Sequence, residues 1–198
     1  MVLPSAYLPP ISWFSPLVKG EPVIVEQYEN YQKQTFRNRC TIDSPNGPLD
    51  LSIPVDRSTF HGGHCLMKDV RISTHTDWQR QHWYALETSY FNSPFFEYLQ
   101  DDFRPLYEQH WTFLIDFNEA LIRQCCQLIG LQPNLQRTSH YCGVDDPQPH
   151  FRPTPYYQVF CQKHPFLPDL SIIDLIFNMG NESILTLMHS TRPTEETR

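Results

Sequence analysis

Short apolar and β-branched runs dominate the first third of this chain, and apolar residues at helical spacing dominate much of the rest. "PVIVEQY" predicts a strand over 22–28. "CTIDSPNGPLDLSIPV" predicts a hairpin with strands at 39–43 and 49–55. Its turn is Ser44-Pro45-Asn46-Gly47, where Asn-Gly favours reversal and Pro48 makes the turn irregular. "KDVRIS" alternates as a further strand, and "YYQVF" reads as a short one. Near the start, Ala6 to Leu8 ends a strand broken by Pro9-Pro10, before a short helix over 11–18 closed by Gly20.

Trp78, His82 or Trp83, Leu86 and Tyr90 recur at helical spacing, with Thr76 or Asp77 as the cap. A second helix begins at Ser93-Pro94, and Pro105 is expected to kink or divide it. Phe117, Leu121, Ile122, Cys125, Leu128 and Ile129 share one face of a helix over 117–129 that stops at Gly130. A last helix spans 170–178, with Asp169 or Ser171 near its start and Gly180 beyond its end. Residues 56–67 and 132–155 read as loops, the second long enough to be functional or mobile. Strands and helices mixed within 198 residues predict an α/β (or α+β) fold. The expectation is one domain over 1–189, a small sheet flanked by helices in two or three layers, followed by a disordered polar tail over 190–198.

Composition narrows the function classes. With 18 Pro against 7 Gly the loops should be stiff, and 14% aromatics supply a core as well as surfaces on which a ring or sugar can stack. A net charge of −7 argues against a nucleic-acid partner but leaves room for a small anionic ligand at a locally basic site. No apolar run is long enough for a membrane span, and "MVLPSAYLPP" lacks a charged segment leading into an apolar one, so a cytoplasmic location is expected. Cys40, Cys65, Cys125, Cys126, Cys142 and Cys161 include no CxxC spacing and are read as reduced thiols.

The basic cluster is "NYQKQTFRNRC". Lys33, Arg37 and Arg39 suit carboxylate or phosphate, and Gln34 and Asn38 add neutral hydrogen bonds. If 35–41 is extended, Arg37 and Arg39 share a face and could hold one anion; the alternative is an edge strand guarded by charge. "HGGH" at 61–64 has the His-x-Gly-His pattern of nucleotidylyltransferases, but there it opens a helix, whereas here it precedes a strand-like run. His61, His64 and Cys65 could join His140, Cys142 or His150 around zinc; two flexible histidine-bearing loops are the plainer reading, and no metal or cofactor is expected. Cys40, beside Arg39, is the candidate for a thiolate nucleophile, with a buried structural thiol as the alternative. Asp101-Asp102 and Asp145-Asp146 read as surface or capping residues. Asp174 sits inside the apolar helix one turn before Asn178 and needs a partner, for which Arg37 or Arg39 would serve.

"YENYQKQTFRNRCTI", "LSIPV", "DVRIS", "WQRQHWYALETSYFNSPFFEYLQDD" and "PDLSIIDLIFNMG", in this order between residues 6 and 187, resemble the WbqC-like family. Tyr7, Pro9, Trp13 and Phe14 match its N-terminal pattern, Lys33 matches its Lys, and Asn38-Arg39 its Asn-Arg pair. Cys40 stands where relatives have a second Asn, and the loop over 140–155 has Arg152 as its lone basic residue where relatives are expected to be richer in Arg and Lys. The resemblance implies a bacterial protein of surface-polysaccharide or O-antigen biosynthesis, with an aminoacyl- or glycine-type transferase acting on an amino sugar or nucleotide-linked sugar as the implied activity. On that reading Lys33 and Arg39, with Arg37 and Asn38, clamp a nucleotide-sugar or activated acyl donor. Trp13, Trp83 or Phe95 offers a stacking wall, Asn178 a further polar contact, and Glu26 or Asp174 a general base. The alternatives are a non-catalytic binding or scaffold subunit of a glycan-assembly complex, with a protein partner, and a hydrolase or acyltransferase built on Cys40.

Overall fold

The computed structural model describes residues 1–145 and 151–190. Its backbone is a mixed α/β arrangement of two small sheets and several helices. Three short parallel strands, β1 (Val2–Pro4), β2 (Val23–Glu26) and β5 (Leu135–Arg137), lie in the order β1-β2-β5. The β-branched run Val23-Ile24-Val25 takes the centre, pairing Leu3 with Val25 on one side and Leu135 with Val23 on the other. Beside β1, Asp145 donates its N–H to Val2 O and accepts the Val2 N–H on Oδ2, both at 2.7 Å. The predicted hairpin forms as β3 (Arg39–Ile42) against β4 (Leu49–Ser52), in antiparallel register from Arg39–Ser52 to Ile42–Leu49.

The helices are the short α1 (Ser15–Val18), then α2 (Trp78–Tyr90), α3 (Phe96–Glu108), α4 (Leu114–Leu128), α5 (Ile172–Met179) and α6 (Ser183–Ser190). Phe117 on α4 is an aromatic hub, with its ring centroid 5.4 Å from that of Trp78, 5.6 Å from that of Tyr107 and 5.8 Å from that of Tyr7. Ile172 to Asn178 are all buried, so α5 is a core helix. Ser171 caps it by accepting the Ile173 N–H. Gly180 ends it at φ +52, with the Phe95 ring so close that a Cβ would come within 2.5 Å of it. Phe95 is thereby held over the end of α5 and lines neither hollow at the carboxyl edge of the parallel sheet.

Four expectations are corrected. "KDVRIS" is not a strand: Met67–Asp69 is a 3-10 turn, and Arg71 and Ile72 make single bridges to Phe113 and Val55. "YYQVF" forms no strand, because Tyr156 and Gln158 turn their side chains to Asp174 instead. The third parallel strand comes from Leu135–Arg137, inside the segment read as loop. Pro105 does not divide its helix: α3 runs through it to Glu108, and the carbonyl four residues before it belongs to the exposed Asp101, so the bond that proline cannot make is lost at a solvent-facing position. The expected tail, apart from Ser190 at the end of α6, and His150 lie outside the described residues.

Candidate functional site

Parallel strands send their outgoing loops to one edge of the sheet, and in open sheets of this kind ligands bind outside the carboxyl ends of the strands. β2 leaves that edge into residues 27–33, and β5 into residues 138–145. Glu26, at the end of β2, ties the two exits together. Its Oε1 accepts from the Tyr28 N–H at 2.7 Å and the Thr138 hydroxyl at 2.9 Å, and its Oε2 accepts from the Cys142 N–H at 2.7 Å. The carboxylate is wholly buried. Every contact it makes is to a structural donor, so Glu26 is a brace rather than a base exposed to substrate.

Two adjoining hollows open along this edge. The larger, of about 620 Å³, is lined by Tyr31, Gln32, Lys33, Arg57, Phe60 and Gly63. The second, of about 360 Å³, shares Gln32 and adds Tyr28, Glu29, Asn30 and Tyr141. Tyr31 and Phe60 meet edge to face at 5.8 Å and form the aromatic part of the larger wall. Lys33 and Arg57 are exposed, and their side chains have no ion-pair or hydrogen-bond partner among the described residues. Burial pushes the Tyr31 phenol up to about 12, while Arg57, then Arg37 and Arg39, pull it the other way. Two unpaired cations beside half-buried aromatic surface form an arrangement that can hold an anion carrying a ring.

The basic segment divides its charges. Residues 31–38 turn rather than extend, with Gln34 at φ +59, and the strand begins only at Arg39. Arg37 is buried in a two-pronged pair with Glu29, its Nε donating to Oε1 at 2.8 Å and its Nη2 to Oε2. Arg39 lies on the outer face of the hairpin, donating to Ser52 Oγ at 3.0 Å and to Asp50 at 3.3 Å. The expectation that both hold one anion on a common face is corrected, because the turn at 31–38 points them to different partners. Asn38 is buried and donates to Ile53 O at 2.9 Å, pinning the segment to the strand after the hairpin. Lys33 is the member of the cluster that lines the cleft.

Asp174 finds a partner, but not an arginine. Tyr90 donates to its Oδ1 at 2.9 Å, and Tyr156 and Gln158 donate to its Oδ2 at 2.5 and 3.3 Å. Asn178 donates to the Asp174 carbonyl at 2.8 Å and to Oδ1 at 3.3 Å. Burial raises the Asp174 carboxyl to about 6, against the pull of the tyrosine hydroxyls and with a further push from Asp43. Asp43 is in turn paired with His164 at 3.0 Å. None of these groups lines either hollow.

The aromatic candidates lie away from this cleft. Trp13 is buried and donates to Pro4 O at 3.1 Å, while Trp83 packs against Phe96 and Tyr107 and lines a separate hollow of about 480 Å³ with Arg80, Tyr84 and Arg104. Cys40 is buried on the inner face of the hairpin, and desolvation, then Asp50, pushes its thiol far above the ordinary range, which opposes a thiolate there. His61 and His64 face each other across a tight turn rather than opening a helix, which removes the nucleotidylyltransferase context. Among the described residues no three His, Cys, Asp or Glu side chains gather as a metal site. No helix among them is long and apolar enough to cross a membrane.

Sequence reading missed Arg57, Tyr31 and Phe60. A signal was present in "DRSTF": Asp56 accepts the Ser58 N–H and starts the 3-10 turn that carries Arg57.

A family model for WbqC-like proteins matches residues 5–150. The chain is also 29% identical over 143 residues to the uncharacterized protein Rv1507c of Mycobacterium tuberculosis, a match covering 71% of this chain and 60% of that relative. No solved structure gives a significant match.

Proposed function

The chain belongs to the WbqC-like protein family, and from that premise we propose that it binds a nucleotide-linked sugar or an activated acyl donor in the cleft at the carboxyl edge of its parallel sheet, as a group transferase of surface-glycan assembly. The observation that carries this reading is the pair of unpartnered cations, Lys33 and Arg57, beside the Tyr31–Phe60 wall. Phosphate oxygens meet the cations, and the ring of the ligand lies on the aromatic surface. Glu29, which lines the adjoining hollow, is held in place by its buried pair with Arg37.

Thermal stabilisation of the protein by a panel of nucleotide sugars and acyl thioesters tests the reading. At least one compound should raise the Tm, and Lys33→Ala and Arg57→Ala should each reduce that shift. Shifts that survive both substitutions, or a panel with no stabiliser, would remove the cleft from consideration.

A second reading is favoured by one specific fact: Glu26 and Asp174, the candidate bases, are buried away from the cleft. On that reading the protein binds the same ligand without transforming it and serves a glycan-assembly partner. Binding without turnover of donor and acceptor mixtures would select it.

A further inference from the structure

The second hollow differs in kind from the first. Its charged lining residue, Glu29, is already neutralised by the two-pronged pair with Arg37. Lys68 lies over the Tyr28 ring at 4.7 Å but is not part of the lining. The surface left to a ligand is therefore neutral and mixed: the phenols of Tyr28 and Tyr141, the amides of Asn30 and Gln32, and the apolar Leu66 and Val144. Its volume of about 360 Å³ lies at the low end of the range for ligand pockets, roughly 300–1,000 Å³, and suits a single ring better than a long chain.

Tyr141 and Gln32 are the uncommitted members of this lining. Tyr141 is 65% exposed, and its side chain has no hydrogen bond or ring contact among the described residues. Gln32 is exposed and lines both hollows, and its side-chain amide likewise has no partner among the described residues. The backbone that carries the tyrosines is fixed by contrast. The wholly buried Glu26 accepts the Tyr28 N–H and the Cys142 N–H, next to Tyr141, each at 2.7 Å. Burying a carboxylate is costly unless donors surround it, and here those donors belong to the two strand exits that bear the rings.

We propose that the second hollow is a saccharide subsite, so that the cleft takes a sugar joined to a phosphate, with the anion at Lys33 and Arg57 and the sugar ring against Tyr141. The inference rests on the reading of the first hollow as an anion site, and it selects the sugar-linked donor over the acyl donor. A sugar ring has an apolar C–H face that covers an aromatic ring, and a rim of hydroxyls that each donate and accept. Side-chain amides match such hydroxyls because they also offer both a donor and an acceptor. Gln32, common to both hollows, stands where the sugar meets the phosphate. An acyl group has no hydroxyls to pair with the amides, and a second anion would meet no cation in this lining. Tyr141 and Gln32 are then specificity residues for the sugar.

Calorimetric titration of the whole chain with UDP, UDP-glucose, GDP, GDP-mannose and acetyl-coenzyme A tests the proposal. At least one sugar ester should bind. Tyr141→Ala should weaken that ester by about tenfold, the scale of one aromatic stacking contact, and the parent diphosphate by less than about twofold. Tyr141→Phe, which keeps the ring, should recover most of the loss, and Gln32→Ala should show a smaller loss for the ester. Tyr141 is exposed, so its variants should keep the wild-type Tm. Lys33→Ala should instead weaken the diphosphate and its sugar ester alike. If Tyr141→Ala leaves the ester unchanged, or weakens the diphosphate equally, the proposal is overturned while the cation site stands. Binding of diphosphates or acetyl-coenzyme A without any sugar ester has the same consequence. A wild type that binds none of the five compounds overturns both readings.

Discussion

The cleft and the Asp174 cluster contain similar polar chemistry in opposite circumstances. In the cleft, Lys33 and Arg57 are accessible and lack partners. Around Asp174, every carboxylate oxygen has a partner and the residue is inaccessible. Burying a charged group without a partner costs several kcal/mol, so a fold completes its interior polar groups first. Cations left without partners at a concave surface are therefore the more informative sign of a ligand. The interior cluster is a tether for the irregular segment around Tyr156 and Gln158.

The sharpest break in this contrast lies between neighbours of the basic segment. Arg37→Ala would leave Glu29 buried without its partner and should destabilise the fold by about 3–5 kcal/mol in urea denaturation. Lys33→Ala, at the cleft, should change stability by less than about 0.5 kcal/mol.

Acid titration separates two interior groups. Asp174, raised to about 6 by burial, contributes stability that is complete below its ordinary value of 3.8 and is lost as the pH rises through 6. His82, lowered to about 4 by burial against a pull from the Ser52 backbone, contributes stability that is complete above 6.5 and is lost as the pH falls through 4. Each amounts to about 3 kcal/mol, and over this window they oppose each other. Relative to the wild type, Asp174→Asn should therefore lose stability as the pH is lowered from 6.5 to 4. His82→Gln should gain it over the same range. Parallel profiles for the two variants would contradict the assignment.

Arg39→Ala should cost at most about 1 kcal/mol, since its pair with Asp50 is open to solvent. No change is expected from alkylating the native protein at Cys40. Cys142 and Cys161 are exposed and should take up iodoacetamide first, with Cys40 labelled only on unfolding. Peptide mass spectrometry distinguishes them, and prompt labelling of Cys40 would reopen a nucleophilic role for it.

Much of the secondary structure was legible because it follows local periodicity. The 117–129 pattern anticipated α4, Ser171 capped α5, and Asn46-Gly47 turned the hairpin, all within a few residues in sequence. The strand at Leu135–Arg137 was not, because three residues carry no period and acquire strand geometry only by pairing with β2. The same limit applied to the site. Lys33 stood out as charge in a quoted motif, whereas Arg57 is an isolated cation until the chain brings it to Tyr31.

The amino-acid sequence by itself determined the helical faces, the hairpin and the concentration of positive charge at 33–39, since each depends on residues close together in the chain. Only the tertiary structure decided which charges are satisfied. It sent Arg37 inward to Glu29 and gave Asp174 two tyrosines in place of an arginine, while Lys33 and Arg57 stayed open. The reason is physical: a charge's role is set by its desolvation and its partners, and both are fixed by contacts between residues far apart in sequence.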